Sequence, residues 1–321
     1  MTPEQERIDA EIREAIVAFH HPSIPVLREL TVEEGRDFLE LFVQQNPPSR
    51  VEIGEIRELE VDGGDGPIHA RLYLPAGRTG PHPVMVWFHG GGWVFGSVEG
   101  TDPHARKLCR DTGAAILSVE YRLAPEHPHP AAVEDAIAAM RWTHAHAAEH
   151  GLDANRIAVG GDSAGGNLAA VCTLDARDNG GPDLSAQLLV YPVVDDDLDR
   201  PSYRSYAEGL LLETADMTWF WNHYCPEAAL RRSWRCSPLR ATNHEGLPPA
   251  VVMIADLDPL RSENEAYVER LREAGVTTEV VRLPDLPHGS FGMSDNCGAV
   301  RIAIREACLG IAGHLGTTPT G

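Results

Sequence analysis

The chain has 321 residues, 43% of them hydrophobic and 23% charged, an ordinary balance for a globular protein long enough to bury a large core without a disulfide or metal staple. Its formal net charge of -21 favours solubility and speaks against nucleic acid or an anionic membrane as partner, since both would be repelled. The six cysteines form no CxxC pair and no zinc-like Cys/His spacing, the N-terminus MTPEQERIDAEIREAI lacks a basic region followed by an apolar run, and no stretch of about 18 apolar residues occurs, so the expectation is a cytoplasmic protein with reduced thiols and neither secretory signal nor membrane span.

In chain order, the first 45 residues read as helix. Ile8, Ile12, Ala15, Ile16 and Phe19 recur at helical spacing, as do Phe38, Leu41 and Phe42. His21-Pro22 and Pro25 separate the two runs, and Asn46-Pro47-Pro48 ends the second. Residues 51–61 and 68–74 then alternate like strands around a Gly63-Gly64-Asp65-Gly66 turn. From Pro83 onward, short apolar runs at 84–88, 114–119, 157–160, 187–191, 250–254 and 278–283 alternate with helical stretches at 102–111, 131–150, 164–178, 263–274 and 299–314. This alternation predicts a mostly parallel sheet covered by helices on both faces. Residues 195–239, which hold Trp219, Phe220, Trp221, Tyr224 and Trp234, are too long for a loop. They read as helical and as a cap over the sheet, shared with the N-terminal helices. The expected division is an N-terminal part of the cap at 1–50, a core at 51–195, a cap insertion at 196–238 and the rest of the core at 239–321.

The chemistry centres on Gly161-Asp162-Ser163-Ala164-Gly165, which lies between an apolar strand and a helix. A strand, a sharp turn and a helix are what a nucleophile elbow requires, and small neighbours let strand and helix approach each other. In such an elbow the acid and base follow the serine, acid first. Asp256 and Asp258 both follow the strand at 250–254 and are both candidates for the acid. His288 follows the next strand, and the only later histidine, His314, lies deep in the last helix, so His288 is the expected base. His89-Gly90-Gly91-Gly92 directly follows the strand at 84–88 and can turn backbone N–H groups toward a substrate carbonyl, together with that of Ala164. It lacks the lysine and the spacing of a phosphate-binding loop. His146 and His150, four apart on a helix, read as a solvated face, and His127 and His129 carry no assigned chemistry.

These residues resemble the hormone-sensitive-lipase-like (bacterial family IV) carboxylesterases of the α/β-hydrolase superfamily, from about Arg57 to about Phe291. The resemblance rests on His89-Gly90-Gly91-Gly92-Trp93, on Tyr121-Arg122-Leu123-Ala124-Pro125-Glu126 continuing to Pro130-Ala131-Ala132-Val133-Glu134-Asp135, and on Gly161-Asp162-Ser163-Ala164-Gly165-Gly166-Asn167. It implies an α/β-hydrolase fold: a mostly parallel eight-stranded sheet flanked by helices, with a helical cap. Matching the family's DPLRDE to Asp258-Pro259-Leu260-Arg261-Ser262-Glu263 implies Asp258, not Asp256, as the acid. It further implies an oxyanion hole of the Gly91, Gly92 and Ala164 N–H groups, a supporting place for Glu126, and a homodimer through the sheet edge near the last strand. Two departures stand out. Ser262 replaces the usual Asp, with a local effect expected, and Ser290 displaces by one the phenylalanine that commonly follows His288-Gly289, which bears on the loop's shape and the acyl-side pocket.

The expected function is therefore hydrolysis of short-chain carboxylic esters through an acyl-enzyme, with Ser163, His288 and Asp258 as triad and neither metal nor organic cofactor. The partner is a small-molecule ester, and Trp93, Phe95, Phe38, Tyr206, Leu210 and Trp219 are the expected pocket residues. A hydrolase of amides, lactones or acetylated small molecules would use the same triad. A non-catalytic receptor on this fold loses the histidine, which this chain keeps at His288.

Overall fold

The computed structural model describes residues 25–45, 51–295 and 297–320, with isolated positions Ala10, Arg13, Glu14 and Val17 before them. The apolar positions of the first helical run (Ile8, Ile12, Ala15, Ile16, Phe19) and the Asn46-Pro47-Pro48 stop lie outside these residues.

An eight-stranded sheet forms the centre, in the order β1-β2-β4-β3-β5-β6-β7-β8. The strands are β1 (Glu55–Gly63), β2 (Gly66–Leu74), β3 (His82–Phe88), β4 (Ala115–Val119), β5 (Leu152–Asp162), β6 (Leu184–Val190), β7 (Ala250–Leu257) and β8 (Thr278–Pro287). β1 and β2 are antiparallel, closed by a two-residue turn at Gly64-Asp65, and β2 runs antiparallel to β4. Every other pairing is parallel. The central strands are mainly apolar where helices cover both faces: every residue of β3, His-Pro-Val-Met-Val-Trp-Phe, is buried.

The main helices are α1 (Val32–Gln45), α2 (Val98–Thr112), α3 (Ala131–His146), α4 (Ala164–Asp178), α5 (Pro201–Ser205), α6 (Thr214–Tyr224), α7 (Ala228–Arg231), α8 (Arg261–Glu273) and α9 (Gly298–Leu315). One core cluster joins the sheet to α3, α4 and α8 through Val133, Leu168, Leu174 and Leu271. The other joins the opposite face to α2 and α9 through Leu108, Val300, Ile304 and Ile311. α2 begins on a Ser97 cap, whose Oγ accepts the Gly100 N–H at 3.0 Å.

Two sequence expectations change. The helix expected over 131–150 ends at His146 and tightens into a 3-10 turn. The stretch between β6 and β7 is helical only in pieces, because Gly209 takes a left-handed backbone (φ 82°) and Pro226 stops α6. Those pieces matter because parallel strands gather the loops after their C-terminal ends on one side of the sheet, and α6 faces that side.

Candidate active site

Ser163 links β5 to α4 with φ 55° and ψ −117°, a conformation costing a side-chain-bearing residue roughly 1–3 kcal/mol. Surrounding bonds over-determine it. Its N–H donates to the Val190 carbonyl at 2.9 Å, and its carbonyl accepts from Asn167 and Val193. A Cβ at Gly165 would run into the Phe88 carbonyl, so only glycine lets α4 start this close to β3. Asn167, fully buried, donates its side-chain amide to the carbonyls of Val193 and Cys236, tying α4 to the β6–β7 insert.

The serine side chain ends a chain of hydrogen bonds. Ser163 Oγ lies 2.9 Å from His288 Nε2, and His288 Nδ1 lies 2.8 Å from Asp258 Oδ2. The other Asp258 oxygen accepts the Leu260 N–H at 2.8 Å, which fixes the carboxylate in its loop. Asp258 is 1% and His288 7% exposed, so their pairing is little weakened by solvent. Asp256, the other acid candidate, faces away and pairs with Arg282 at 3.3 Å. The Tyr191 ring packs on His288 at 4.4 Å, and its hydroxyl accepts the Phe291 N–H at 3.2 Å.

The two departures have visible consequences. Phe291 is displaced by one position yet still buried, stacking on Trp87 at 5.8 Å, while Ser290 is fully buried. Ser262 and Ser202 exchange hydrogen bonds from N–H to Oγ, at 3.1 and 3.0 Å, and so join α5 to the start of α8. Beside them Glu263, fully buried, accepts from the Val194 N–H and the Tyr203 hydroxyl, and burial pushes its acid well above the usual carboxylate range.

The glycine loop after β3 lies against the elbow. Gly91 and Gly92 take positive φ (116° and 61°), and a Cβ on Gly92 would enter the Phe220 ring. Among the described residues, the N–H groups of Gly91, Gly92 and Ala164 make no hydrogen bond, which leaves them available to an oxygen placed above Ser163. Asp162 Oδ1 accepts the Gly90 N–H at 3.0 Å, and the Tyr121 hydroxyl donates to the His89 carbonyl at 2.7 Å. Burial pushes the Asp162 acid up to about 6, against the opposing pull of the Gly90 N–H and of His288.

Above Ser163 opens a cavity of about 500 Å³. Its floor is Ser163, His288, Gly91 and Gly92, its walls Phe95, Leu210, Leu212, Trp219 and Phe220, and its far end Pro25 to Arg28 with Glu213 and Asp216. Of the expected pocket residues, Phe95, Leu210 and Trp219 line this cavity. Three other expected pocket residues do not line the cavity. Trp93 is fully buried, because its left-handed backbone (φ 61°) turns the ring into a stack on Tyr224 at 4.0 Å. Tyr206 packs under Arg261 at 5.3 Å and accepts its hydrogen bond. Phe38 sits half-buried on α1. Glu126 is 53% exposed and pairs with Arg36 of α1 at 2.9 Å. His146 and His150 are not a freely solvated pair, since both rings lie against Trp142, at 4.8 and 5.1 Å. Sequence reasoning missed Asp162, Tyr191, Phe220 and the Arg28–Glu213–Asp216 group. Asp162 carried a signal in its place inside the elbow motif, and Phe220 in its place beside Trp219 among the cap aromatics.

Chemically, a serine hydroxyl held on an imidazole that is braced by a carboxylate, beneath free N–H donors, can add to a carbonyl and stabilise the oxyanion formed. A family model described as alpha/beta hydrolase fold matches residues 85–292. The chain is 41% identical over 287 residues to the carboxylic ester hydrolase LipN of Mycobacterium tuberculosis, covering 88% of this chain and 76% of that protein. Its structure superposes with a TM-score of 0.92 and 38% identity on a serine-to-alanine mutant of an alpha/beta hydrolase enzyme from the metagenome of Lake Arreo, Spain, covering 97% of this chain and 100% of the other. It also superposes with a TM-score of 0.91 and 35% identity on a thermostable esterase from Pseudomonas putida, covering 96% and 98% of the two chains. The chain belongs to the α/β-hydrolase family.

Proposed function

We propose that the protein is a serine carboxylesterase of the hormone-sensitive-lipase-like group and that it hydrolyses short-chain esters. The observation that carries this reading is the hydrogen-bonded chain Asp258–His288–Ser163, with spacings of 2.8 and 2.9 Å, ending beneath a cavity with free backbone donors. His288 takes the Ser163 proton as Oγ adds to the ester carbonyl, and Asp258 holds the ring and stabilises its positive charge. The Gly91, Gly92 and Ala164 N–H groups receive the oxyanion. His288 then returns the proton to the leaving alkoxide, the alcohol departs and the acyl group stays on Ser163. Water, deprotonated by the same imidazole, releases the carboxylic acid and restores the serine.

The substrate class follows from the cavity. A volume of about 500 Å³ is that of a site for a small molecule, and walls of Phe95, Leu212, Trp219 and Phe220 favour uncharged acyl and alcohol groups. Residues 25–45 and the pieces between β6 and β7 form the cap in this reading. The six cysteines are unpaired and buried, which fits a reducing, cytoplasmic compartment. Hydrolysis of p-nitrophenyl esters from acetate to palmitate, by wild type and Ser163→Ala in parallel, tests the reading. Cleavage of the short esters by wild type alone supports it, and a folded wild type inert toward all of them overturns it.

A further inference from the structure

The far end of the cavity is a stretch of chain that burial holds only in part. Pro25 to Arg28 line it, and the single 3-10 turn Leu27–Glu29 contributes no fully buried residue, only Leu27 packed half-buried against the core. A wall of that kind needs another anchor. Arg28 Nη1 donates to Asp216 Oδ1 at 2.7 Å, and Arg28 Nη2 lies 3.1 Å from Glu213 Oε2. The two carboxylates form a pre-built receptor. They make the capping box of α6, in which Asp216 Oδ2 accepts the Glu213 N–H at 2.9 Å, and Glu213 Oε1 accepts the Gly209 N–H at 3.0 Å. Backbone bonds therefore orient both acids before Arg28 arrives, so pairing orders only one long side chain.

Downstream, the same segment is fixed a second time. Arg36 of α1 donates to the carbonyls of Val94 and Ala124 and pairs with Glu126. Arg36 ties the segment to the core, whereas Arg28 ties it to α6 across the cavity. Arg28 is also the only lysine or arginine among the lining residues. With side-chain exposures of 28%, 17% and 19% for Arg28, Glu213 and Asp216, the group is sheltered enough to hold and open enough to be screened by salt.

We propose that Arg28 is a specificity-determining positioning residue: its pairing with Glu213 and Asp216 latches the N-terminal wall onto α6 and closes the end of the cavity, which limits the length of ester that fits. The proposal rests on the ester-hydrolase reading for its substrate and adds to it the element that sets the limit. When the latch is broken the wall moves off α6, and a longer acyl chain gains a place along Leu212 and Trp219.

The test compares kcat/KM for p-nitrophenyl butanoate and decanoate in wild type, Arg28→Ala, Arg28→Lys and the double variant Glu213→Gln/Asp216→Asn, which keeps the capping acceptors and removes the charges. The decanoate-to-butanoate ratio rises about tenfold in Arg28→Ala and in the double variant, close to what burying roughly two further methylenes gives, with the change carried by KM. Arg28→Lys retains part of the wild-type preference. In about 1 M NaCl, where the screening length falls to about 3 Å, the wild-type ratio moves toward that of Arg28→Ala while the variant's own ratio stays put. An unchanged ratio in Arg28→Ala overturns the proposal, and so does a shift there without one in the double variant. Amide hydrogen exchange over residues 25–31 reads the latch with no substrate present. It accelerates in Arg28→Ala if the latch exists, and equal exchange overturns the proposal whatever the ester assays give. A wild type inert toward esters instead defeats the ester-hydrolase reading and leaves the exchange measurement to decide the latch.

Discussion

The carboxylate of Asp162 accepts the backbone N–H of Gly90 at 3.0 Å, so the residue just before the serine holds the loop that supplies the oxyanion donors. Elbow and oxyanion loop come from β5 and β3, neighbours in the sheet, with Phe88 paired opposite Gly161. One side chain thereby sets the distance between nucleophile and donors.

That carboxylate has a cost that depends on pH. Burial pushes the Asp162 acid up to about 6, whereas an unfolded aspartate titrates near about 3.9. The folded chain therefore favours the protonated form. This contribution to stability is full below about pH 4 and is lost as pH rises through about 6. Asp162→Asn, which keeps an acceptor for Gly90, gains stability relative to wild type between those limits and holds the gain above them. Urea denaturation of both proteins across this range checks the prediction, and a difference that does not change with pH refutes it.

The two aspartates after β7 separate cleanly. Asp258→Asn lowers kcat by about 10³–10⁴-fold, because the imidazole loses the partner that fixes its tautomer. Asp256→Asn, which touches Arg282 and not His288, stays within a few-fold of wild type. Steady-state kinetics on one ester decides between them, and equal losses would return the acid to either position.

Gly92→Ala places a methyl group into the Phe220 ring at a backbone conformation suited to glycine. The loop must shift and misplace an oxyanion donor, which lowers kcat by about 10²–10³-fold while the fold persists. Adding Phe220→Ala relieves the clash and recovers part of the rate. A double variant no faster than Gly92→Ala would mean that Phe220 is not what displaces the loop.

Trp93 and Leu210 distinguish core from cavity. Trp93→Ala removes a fully buried ring stacked on Tyr224 and destabilises the chain by about 3–5 kcal/mol, with no change in ester preference. Leu210→Ala enlarges the cavity wall and changes the ratio of rates on short and branched esters. Denaturation midpoints and an ester panel on both variants read the two effects.

What was legible in the sequence was local. The strand, turn and helix around Ser163 lie within a few residues of one another, and the parallel order places Asp258 and His288 at the ends of adjacent strands β7 and β8. What was not legible depends on pairings across the chain. Nothing near Arg28 announces that it meets Asp216, 188 residues away. Trp93 sits beside the oxyanion loop in sequence, but its φ of 61° sends the ring into the core. The insert between β6 and β7 is long enough to be read as helical, yet Gly209 and Pro226 divide it, and Leu210 to Glu213, between α5 and α6, line the cavity.

Intact-protein mass spectrometry after treatment with a p-nitrophenyl phosphonate ester tests most directly whether Ser163 is the nucleophile. The account predicts a single phosphonyl adduct on wild type, localised by peptide mapping to Ser163, with activity lost in proportion and no adduct on Ser163→Ala. An adduct at another residue, or equal labelling of wild type and Ser163→Ala, would contradict it.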